Sequence, residues 1–248
     1  AILIGKSILK ITRILKNEGS AAPGLYALKI DPRLIEKLSQ QIPTNIVITG
    51  TNGKTTTARL LDHFAKASGL KVIRNSTGSN LERGIASALI SNLHLRGVNV
   101  NFDLGIWEVD EAAFNTAVFK LKPKVIVFLN AFRDQLDRYG EVDTVTKKWQ
   151  ETLHKIDWDP LIILNGDDPS LQSLSKIKLN KSFFGVKNQD LMWEKVKSKV
   201  LKKLEFEGII KESKMDHTLI DLKYLGKNVQ VNIPLPGTYN THNFLAAF

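Results

Sequence analysis

The stretch Ile46-Val-Ile-Thr-Gly-Thr-Asn-Gly-Lys-Thr-Thr-Thr57 decides the fold class. Apolar, β-favouring residues run into a turn with two glycines and then into a lysine and three threonines. That pattern reads as a buried strand, a glycine-rich loop and the start of a helix. A helix N-terminus leaves its first backbone donors unpaired and carries partial positive charge, so a phosphate belongs there. The N–H groups of Thr51, Asn52 and Gly53 are expected to converge on its oxygens. Lys54, read as an exposed loop lysine, is expected to reach the terminal phosphates, and Thr55 to offer its hydroxyl to magnesium. Gly50, Thr51, Asn52, Gly53, Lys54, Thr55 and Thr56 are therefore the candidate nucleotide loop. The strict pattern G-x-x-x-x-G-K-[ST] is not met, because Ile48 stands five before Gly53 and the first glycine is Gly50.

Downstream, apolar runs alternate with helical patterns. Thr56 to Ser68 carries Leu60, Leu61, Phe64 and Ala65 on one helical face, and Gly69 ends it. Lys71-Val-Ile is a short strand leading to the polar loop Asn75 to Asn80, and a helix is expected over about Leu81 to Leu95. Phe102 to Val109 ends at Glu108-Val-Asp-Glu111, where Asp110 and Glu111 suit the N-terminus of the next helix. Lys124 to Leu129 and Leu161 to Leu164 are continuous apolar runs of the kind parallel sheets bury on both faces, and the second closes with Asn165-Gly-Asp-Asp-Pro169. Strands alternating with helices predict an α/β fold, a P-loop-type doubly wound parallel sheet whose ligands sit beyond the carboxyl ends of the strands. Glu108 lies at such a strand end, where a carboxylate reaches a magnesium ion.

Upstream, Ile4, Ile8, Ile11 and Leu15 fall at helical spacing within Ile2 to Lys16, with Lys6, Lys10, Arg13 and Lys16 largely off that stripe. Two readings fit this basic amphipathic helix, a terminal helix packed on the domain and a helix lying on a membrane surface, since both bury one apolar stripe. Gly19 to Gly24, with Pro23, is read as a break, and Asp31-Pro32 opens a short helix through Leu38. Near the other end a lysine-rich helix is expected over Leu191 to Leu204, followed by two or three short strands between Phe206 and Ile233. These form a small β-rich appendage. The expected domains are an N-terminal helical segment (1–43), a central ATP-binding domain (44–190 and 234–248) and the α+β appendage (191–233). From Asn243 to Phe248 a helix reads as barely begun.

Composition bounds the partners. With 43% hydrophobic residues in 248 the chain has enough material for a folded core, and no cysteine is present to form disulfides or thiolate metal sites. Five scattered histidines lack metal-ligand spacing, so no zinc is expected. The net charge of +10 suits nucleic acid, anionic lipid or a phosphorylated substrate. Nucleic-acid signatures are missing, and the lysines of 176–187 and 195–203 read as solvated faces. No apolar run spans a membrane and no cleavable signal pattern is evident, which predicts a cytoplasmic protein, held peripherally at the membrane face if the N-terminal helix lies on lipid.

Five strings together resemble the Mur ligase family: Thr49 to Thr57, Gly78-Ser-Asn-Leu-Glu-Arg-Gly84, Glu108-Val-Asp-Glu111, Asn130-Ala-Phe-Arg-Asp-Gln-Leu-Asp-Arg-Tyr-Gly-Glu141 and Gly237-Thr-Tyr-Asn240. The resemblance implies the family's central-domain fold and ATP-dependent amide-bond formation in cell-wall precursors. It implies that Lys54 and the loop amides hold ATP, that Thr55 and Glu108 hold Mg2+, that Asn80 lies near the γ-phosphate and that Asn165 binds the nucleotide. Lys54 and Glu108 are thereby the catalytic pair. Within the family it implies amidation of the D-glutamate α-carboxylate of lipid II through an acyl phosphate, with ammonia from a glutaminase subunit, GatD.

Gln135 stands where many peptide-forming members carry a histidine that ligates a second metal, and Lys148 matches a carbamylated lysine only with a one-residue gap. Where similar subunits carry a four-cysteine zinc ribbon, this chain has residues 191–233 and no cysteine. A C-terminal ligase domain is expected beyond the Gly237 motif, so these 248 residues are expected to bind ATP and to amidate poorly by themselves. Two rival readings are another Mur-like amino-acid ligase, such as a folylpolyglutamate synthetase relative, and an ATP-binding scaffold that does not ligate.

Overall fold

The computed structural model describes residues 1–14, 21–76, 79–93, 99–131, 139–187 and 204–248, with side chains omitted at 11–14 and 139–142. It divides into two compact units, Ala1–Thr49 with Leu61–Val125 and Gly50–Leu60 with Ile126–Phe248.

The first unit opens with three helices, α1 (Ile2–Ile14), α2 (Ala22–Ile30) and α3 (Leu34–Ser39). α1 turns its glycine side inward: a Cβ on Gly5 would lie 2.9 Å from Ile90 Cδ1 and 3.4 Å from Ala27 Cβ. Of the predicted stripe, Ile4 stays 48% exposed and Ile8 is half-buried, so the closest approach is made at Gly5 and not at Ile4. A glycine lets helix backbones approach more closely than an isoleucine does, and that contact sets the rotation. Leu15 and Lys16 fall outside the described residues. α2 was not foreseen. Pro23, read as a break, occupies the first turn of α2, where its missing N–H would have no intrahelical acceptor. α2 also seats through a glycine, Gly24, whose N–H donates to Ser87 Oγ at 2.9 Å.

The chain continues through β1 (Thr44–Thr49), α4 (Lys54–Ala67), β2 (Val72–Arg74), α5 (Glu82–Ser91), β3 (Leu104–Glu108) and α6 (Glu111–Leu121). β3 pairs in parallel with β1 on one side and β2 on the other, with Ile48 in register with Glu108 and Arg74 with Ile106. All five residues of β3 are buried, as a strand inside a parallel sheet requires. Asp110 caps α6, its carboxylate accepting from Ala112 N at 3.2 Å, the N-terminal role expected of it.

The second unit contains β4 (Val125–Phe128), α7 (Tyr139–Lys155), β5 (Leu161–Asn165), β6 (Lys181–Lys187), β7 (Phe206–Ser213), β8 (Thr218–Tyr224), β9 (Lys227–Ile233) and α8 (Gly237–Ala247). β4 neighbours β5 in the sheet. β5 and β6 run parallel, as do β6 and β7, after which β8 and β9 add antiparallel. The strands expected as an appendage thus continue this unit's sheet. Leu225 and Gly226 join β8 to β9 with φ of +48° and +76°, the two left-handed residues a tight hairpin demands. α8 is a full helix of 11 residues rather than one barely begun, and packs on β5, β6 and β7. Most of the lysine-rich helix expected over 191–204 falls at residues 188–203, outside the described residues.

Among the described residues no helix is long and apolar enough to cross a membrane. Parallel strands alternating with helices make this the α/β fold that the sequence predicts.

Candidate nucleotide site

The loop after β1 is shaped by two glycines that no other residue can replace without strain. Gly50 has φ +136° and Gly53 φ +87°. A Cβ on Gly50 would meet Asn130 O at 2.9 Å, and one on Gly53 would meet Asn243 Oδ1 at 2.2 Å. Two distant asparagines therefore buttress the loop. Asn130, just beyond β4, grips Asn52 from both sides: Asn52 N donates to Asn130 Oδ1 at 2.8 Å and Asn130 Nδ2 donates to Asn52 O at 2.9 Å. Thr51 N also donates to Asn130 O, at 3.1 Å. Asn243, on α8, accepts at 3.4 Å from the hydroxyl of Thr57.

This arrangement redistributes the donors expected for phosphate. The N–H groups of Thr51 and Asn52 are turned to Asn130. Thr57 N makes the first helical bond, to Gly53 O at 2.9 Å, so the N–H groups of Lys54, Thr55 and Thr56 sit ahead of it at the positive end of α4. Lys54 is not an exposed loop residue. It is 9% exposed, and its ammonium donates to Gly50 O and, at 3.0 Å, to Thr51 O, closing the loop over itself. Thr55 is exposed and Thr56 half-buried. Backbone N–H groups, a lysine and a threonine hydroxyl at a helix start can together take a polyphosphate.

Asn165 lies 7% exposed at the end of β5. Its Nδ2 donates to Leu129 O at 3.0 Å, one residue before Asn130, while its Oδ1 accepts from Asp167 N at 3.0 Å. The following two acids continue the scaffold. Asp168 accepts from Ala131 N and Ser170 N, both at 2.8 Å. Burial pushes its carboxyl above the usual carboxylate range, against those two donors, which favour the ion. Asp167 accepts from Val186 N at 2.7 Å and contacts His242 Nε2 at 2.8 Å, tying the β5 loop to the helix that carries Asn243.

In the first unit Glu108 ends β3 with 2% exposure. Asn75 holds its backbone in the way Asn130 holds Asn52: Glu108 N donates to Asn75 Oδ1 at 2.9 Å and Asn75 Nδ2 donates to Glu108 O at 2.8 Å. Arg74 Nη1 stands 3.8 Å from Glu108 Oε1, and Arg74 Nε 3.3 Å from Asp62 Oδ2. Asn80 is half-buried, and its carbonyl accepts from Asp110 N at 2.9 Å.

Among the described residues no three acidic or histidine side chains converge as a metal cage. Magnesium does not need one, because it takes one or two hard protein oxygens and completes its shell with water and phosphate. The carboxylate of Glu108, buried, and the hydroxyl of Thr55, exposed, are hard oxygens of that chemical class. Lys148 is exposed on α7, and Gln135 falls outside the described residues.

Residues 48–248 match the family model of the Mur ligase middle domain. The chain belongs to the Mur ligase family. It is 33% identical over 187 residues to the MurT subunit of the glutamine-hydrolysing lipid II isoglutaminyl synthase of Staphylococcus aureus (strain COL), covering 75% of this chain and 41% of that one. Against the MurT subunit of Streptococcus pneumoniae (strain ATCC BAA-255 / R6) the identity is 32% over 151 residues, covering 61% and 33%. The chain thus spans less than half the length of these curated relatives. Among solved structures, MurF from Acinetobacter baumannii superposes with a TM-score of 0.64 at 17% identity, over 92% of this chain and 44% of that one. MurF from Thermotoga maritima, solved with ADP, gives 0.62 at 17% identity over 86% and 46%. These structural likenesses establish the Mur ligase fold.

The sequence singles out Lys54, the glycines, Glu108 and Asn165 as candidates, while the bonds made by Asn130, Asn243, Asn75 and Asp168 come from the structure. A signal existed for Asn130, which directly follows an apolar run, where ligands of an open α/β sheet gather.

Proposed function

We propose that the chain is the ATP-binding part of a MurT-type amidotransferase subunit, which converts the D-glutamate α-carboxylate of lipid II to the amide. The 33% identity to the Staphylococcus aureus MurT subunit over 75% of the chain carries this reading. The loop at the start of α4 supports its nucleotide half.

In this reading the substrate carboxylate attacks the γ-phosphorus of ATP, the bond to the β-phosphate oxygen breaks, and ADP leaves. Ammonia, released from glutamine by a glutaminase partner of the GatD type, then adds to the acyl carbon, and phosphate departs with its electron pair as the amide forms. The chain's share is positioning and charge. The α4 N-terminus and Lys54 hold the β- and γ-phosphates, and the asparagine-braced loop fixes their place. Thr55 and Glu108 offer hard oxygens to Mg2+, which neutralises phosphate charge when bound. Asn80 serves the γ-phosphate and Asn165 the nucleotide.

A lipid-linked substrate places the work at the cytoplasmic membrane face. α1 and α2 support peripheral contact there: they carry no acidic residue, and Leu3, Ile4, Leu25, Tyr26 and Ile30 are exposed on them beside Lys10 and Lys29. Co-sedimentation with anionic vesicles is expected to fall on Ile4→Glu, and unchanged sedimentation would remove this contact from the reading.

The reaction itself is tested on a natural protein carrying these 248 residues. It is incubated with lipid II, ATP, magnesium and either ammonia or glutamine plus a glutaminase, and the product is weighed. The expected product is the singly amidated lipid. Addition of an amino acid, or ATP turnover without a new product, would replace the reading by a different ligase or by a scaffold.

A further inference from the structure

α8 meets the loop after β5 at His242 and Asp167, whose side chains are only 12% and 14% exposed. The ring turns both nitrogens to acceptors: Nδ1 lies 3.1 Å from Thr238 O and Nε2 2.8 Å from Asp167 Oδ2. A carbonyl oxygen can only accept, so Nδ1 carries a proton. Oδ2 also accepts from Val186 N at 2.7 Å, and hydrogen bonds received by a carboxylate favour its ionised form. Gly185 makes room for that carboxylate, since a Cβ there would lie 2.9 Å from both Asp167 oxygens. The β5 loop sets two acids against the ring, Asp167 and Asp168. β6 meets the ring with Phe184, β7 meets α8 with Gly208 and Phe206, and the α4 loop meets it at Gly53 and Thr57, none of which carries charge. β8 meets the far end of α8 with Tyr224, against Phe248.

We propose that His242 is an imidazolium clasping Asp167, and that its second ring proton makes it a positioning residue for the nucleotide loop. Nε2–H donates to Oδ2, and a bond between two charged partners is about twice as strong as a neutral one. Without that proton Nε2 turns a lone pair on the carboxylate, and the clasp opens. Two short routes lead from the pair to the loop. Asn243 follows His242 on α8, accepts from the hydroxyl of Thr57 and stands against Gly53. On the other side Asp167 N donates to Asn165 Oδ1 at 3.0 Å, and Asn165 Nδ2 donates to Leu129 O, next to Asn130. The pair, both routes and the loop through Leu60 belong to one compact unit of the chain. The sign follows: the clasp is closed while the proton is bound, and nucleotide binding weakens as rising pH removes it.

The proposal rests on Gly50–Thr57 taking a nucleotide, and the experiment separates the two. The natural protein carrying this chain is compared with His242→Gln, whose side-chain amide still donates toward Asp167 but bears no charge, and with Asp167→Asn. For each, ATP affinity by calorimetry and a thermal melt are followed across about pH 5.5 to 8.5, with imidazole nitrogen NMR spectra of the wild type. The His242 signals, assigned by their loss in His242→Gln, should show two protonated nitrogens at the acid end. A ring with one unprotonated nitrogen throughout the range would overturn the proposal. The wild type should bind ATP about tenfold more tightly than His242→Gln at the acid end and lose that advantage, together with its lead in melting temperature, as pH rises. A melting difference that varies with pH beside an ATP difference that does not would overturn the positioning role and leave the pair structural only. If no variant and no wild type binds ATP while the ring shows both protons, the nucleotide reading falls, and the positioning role with it. Should His242→Gln not fold, Asp167→Asn, which removes the charge that retains the proton, is expected to give the same loss and the same flattened profile.

Discussion

Asn130 and Asn75 make the same pair of bonds in two places. One grips the backbone of Asn52 at 2.8 and 2.9 Å, the other the backbone of Glu108 at 2.9 and 2.8 Å. Each supplies, from one side-chain amide, a donor and an acceptor to the backbone of one distant residue, Asn75 doing so where the β2–β3 ladder ends. What they hold differs. The first fixes the loop whose N–H groups and lysine we propose to hold phosphate; the second fixes a strand end whose buried carboxylate we propose to face the metal. Damage to the first clamp should therefore be felt by the nucleotide itself, and damage to the second by the metal dependence.

The largest effect is expected from Gly53→Ala. A methyl group 2.2 Å from Asn243 Oδ1, at φ +87°, forces the loop open and costs roughly 1–3 kcal/mol in backbone strain alone. ATP binding by calorimetry should be lost. Retention of wild-type affinity would mean that Asn243 and the loop do not need their present contact.

Asn130→Asp comes next and sharpens the comparison, because it keeps the acceptor for Asn52 N while setting a second oxygen against Asn52 O and adding negative charge beside the loop. ATP affinity is expected to fall on the order of tenfold or more, with adenosine binding little changed. An equal loss for both ligands would show a general loosening and no phosphate effect.

For Asn75→Ala the stability loss should be about 1–3 kcal/mol by denaturant melt, since a buried N–H and C=O lose their partners. ATP binding in EDTA should survive, and the gain on adding magnesium should shrink. If the two clamps give the same binding profile, the distinction between them is gone.

The smallest effect belongs to Asp168, which braces Ala131 next to the first clamp. Its carboxyl titrates above the ordinary value of 3.8 because of burial. The folded state therefore holds the proton more tightly than the unfolded chain, and the group's stabilising share is full below about pH 4 and lost as pH rises through the raised value. Stability of the wild type relative to Asp168→Asn should decline across that window. A flat difference curve would place Asp168 in a less desolvated setting.

The strand, glycine turn and helix start of the proposed nucleotide loop are legible because strand, glycines, lysine and threonines fall within twelve contiguous residues. The clamps are not. Asn52 and Asn130 are 78 positions apart, and Thr57 and Asn243 are 186, distances over which a single sequence carries no pairing signal. α2 is not legible locally because a proline reads equally as a helix breaker and as a first-turn residue, and Pro23 is the second. The rotation of α1 escaped for a related reason, as hydropathy points to Ile4 while backbone approach favours Gly5. β7 to β9 were foreseen as strands, but the parallel pairing of β6 with β7 depends on a connection through residues 188–203 that no local pattern dictates.

In the proposed function Gly50–Thr57 is a phosphate site held by Lys54. The most direct measurement compares ATP with adenosine, wild type against Lys54→Ala, by calorimetry, alongside a melt of each protein. Lys54 clasps the loop's own carbonyls as well, so the phosphate-dependent difference between the two ligands is the informative quantity. The wild type should favour ATP over adenosine on the order of a hundredfold, and Lys54→Ala should erase most of that preference while adenosine binding persists. An undiminished preference for ATP in a folded Lys54→Ala protein would mean that Lys54 does not hold the phosphates.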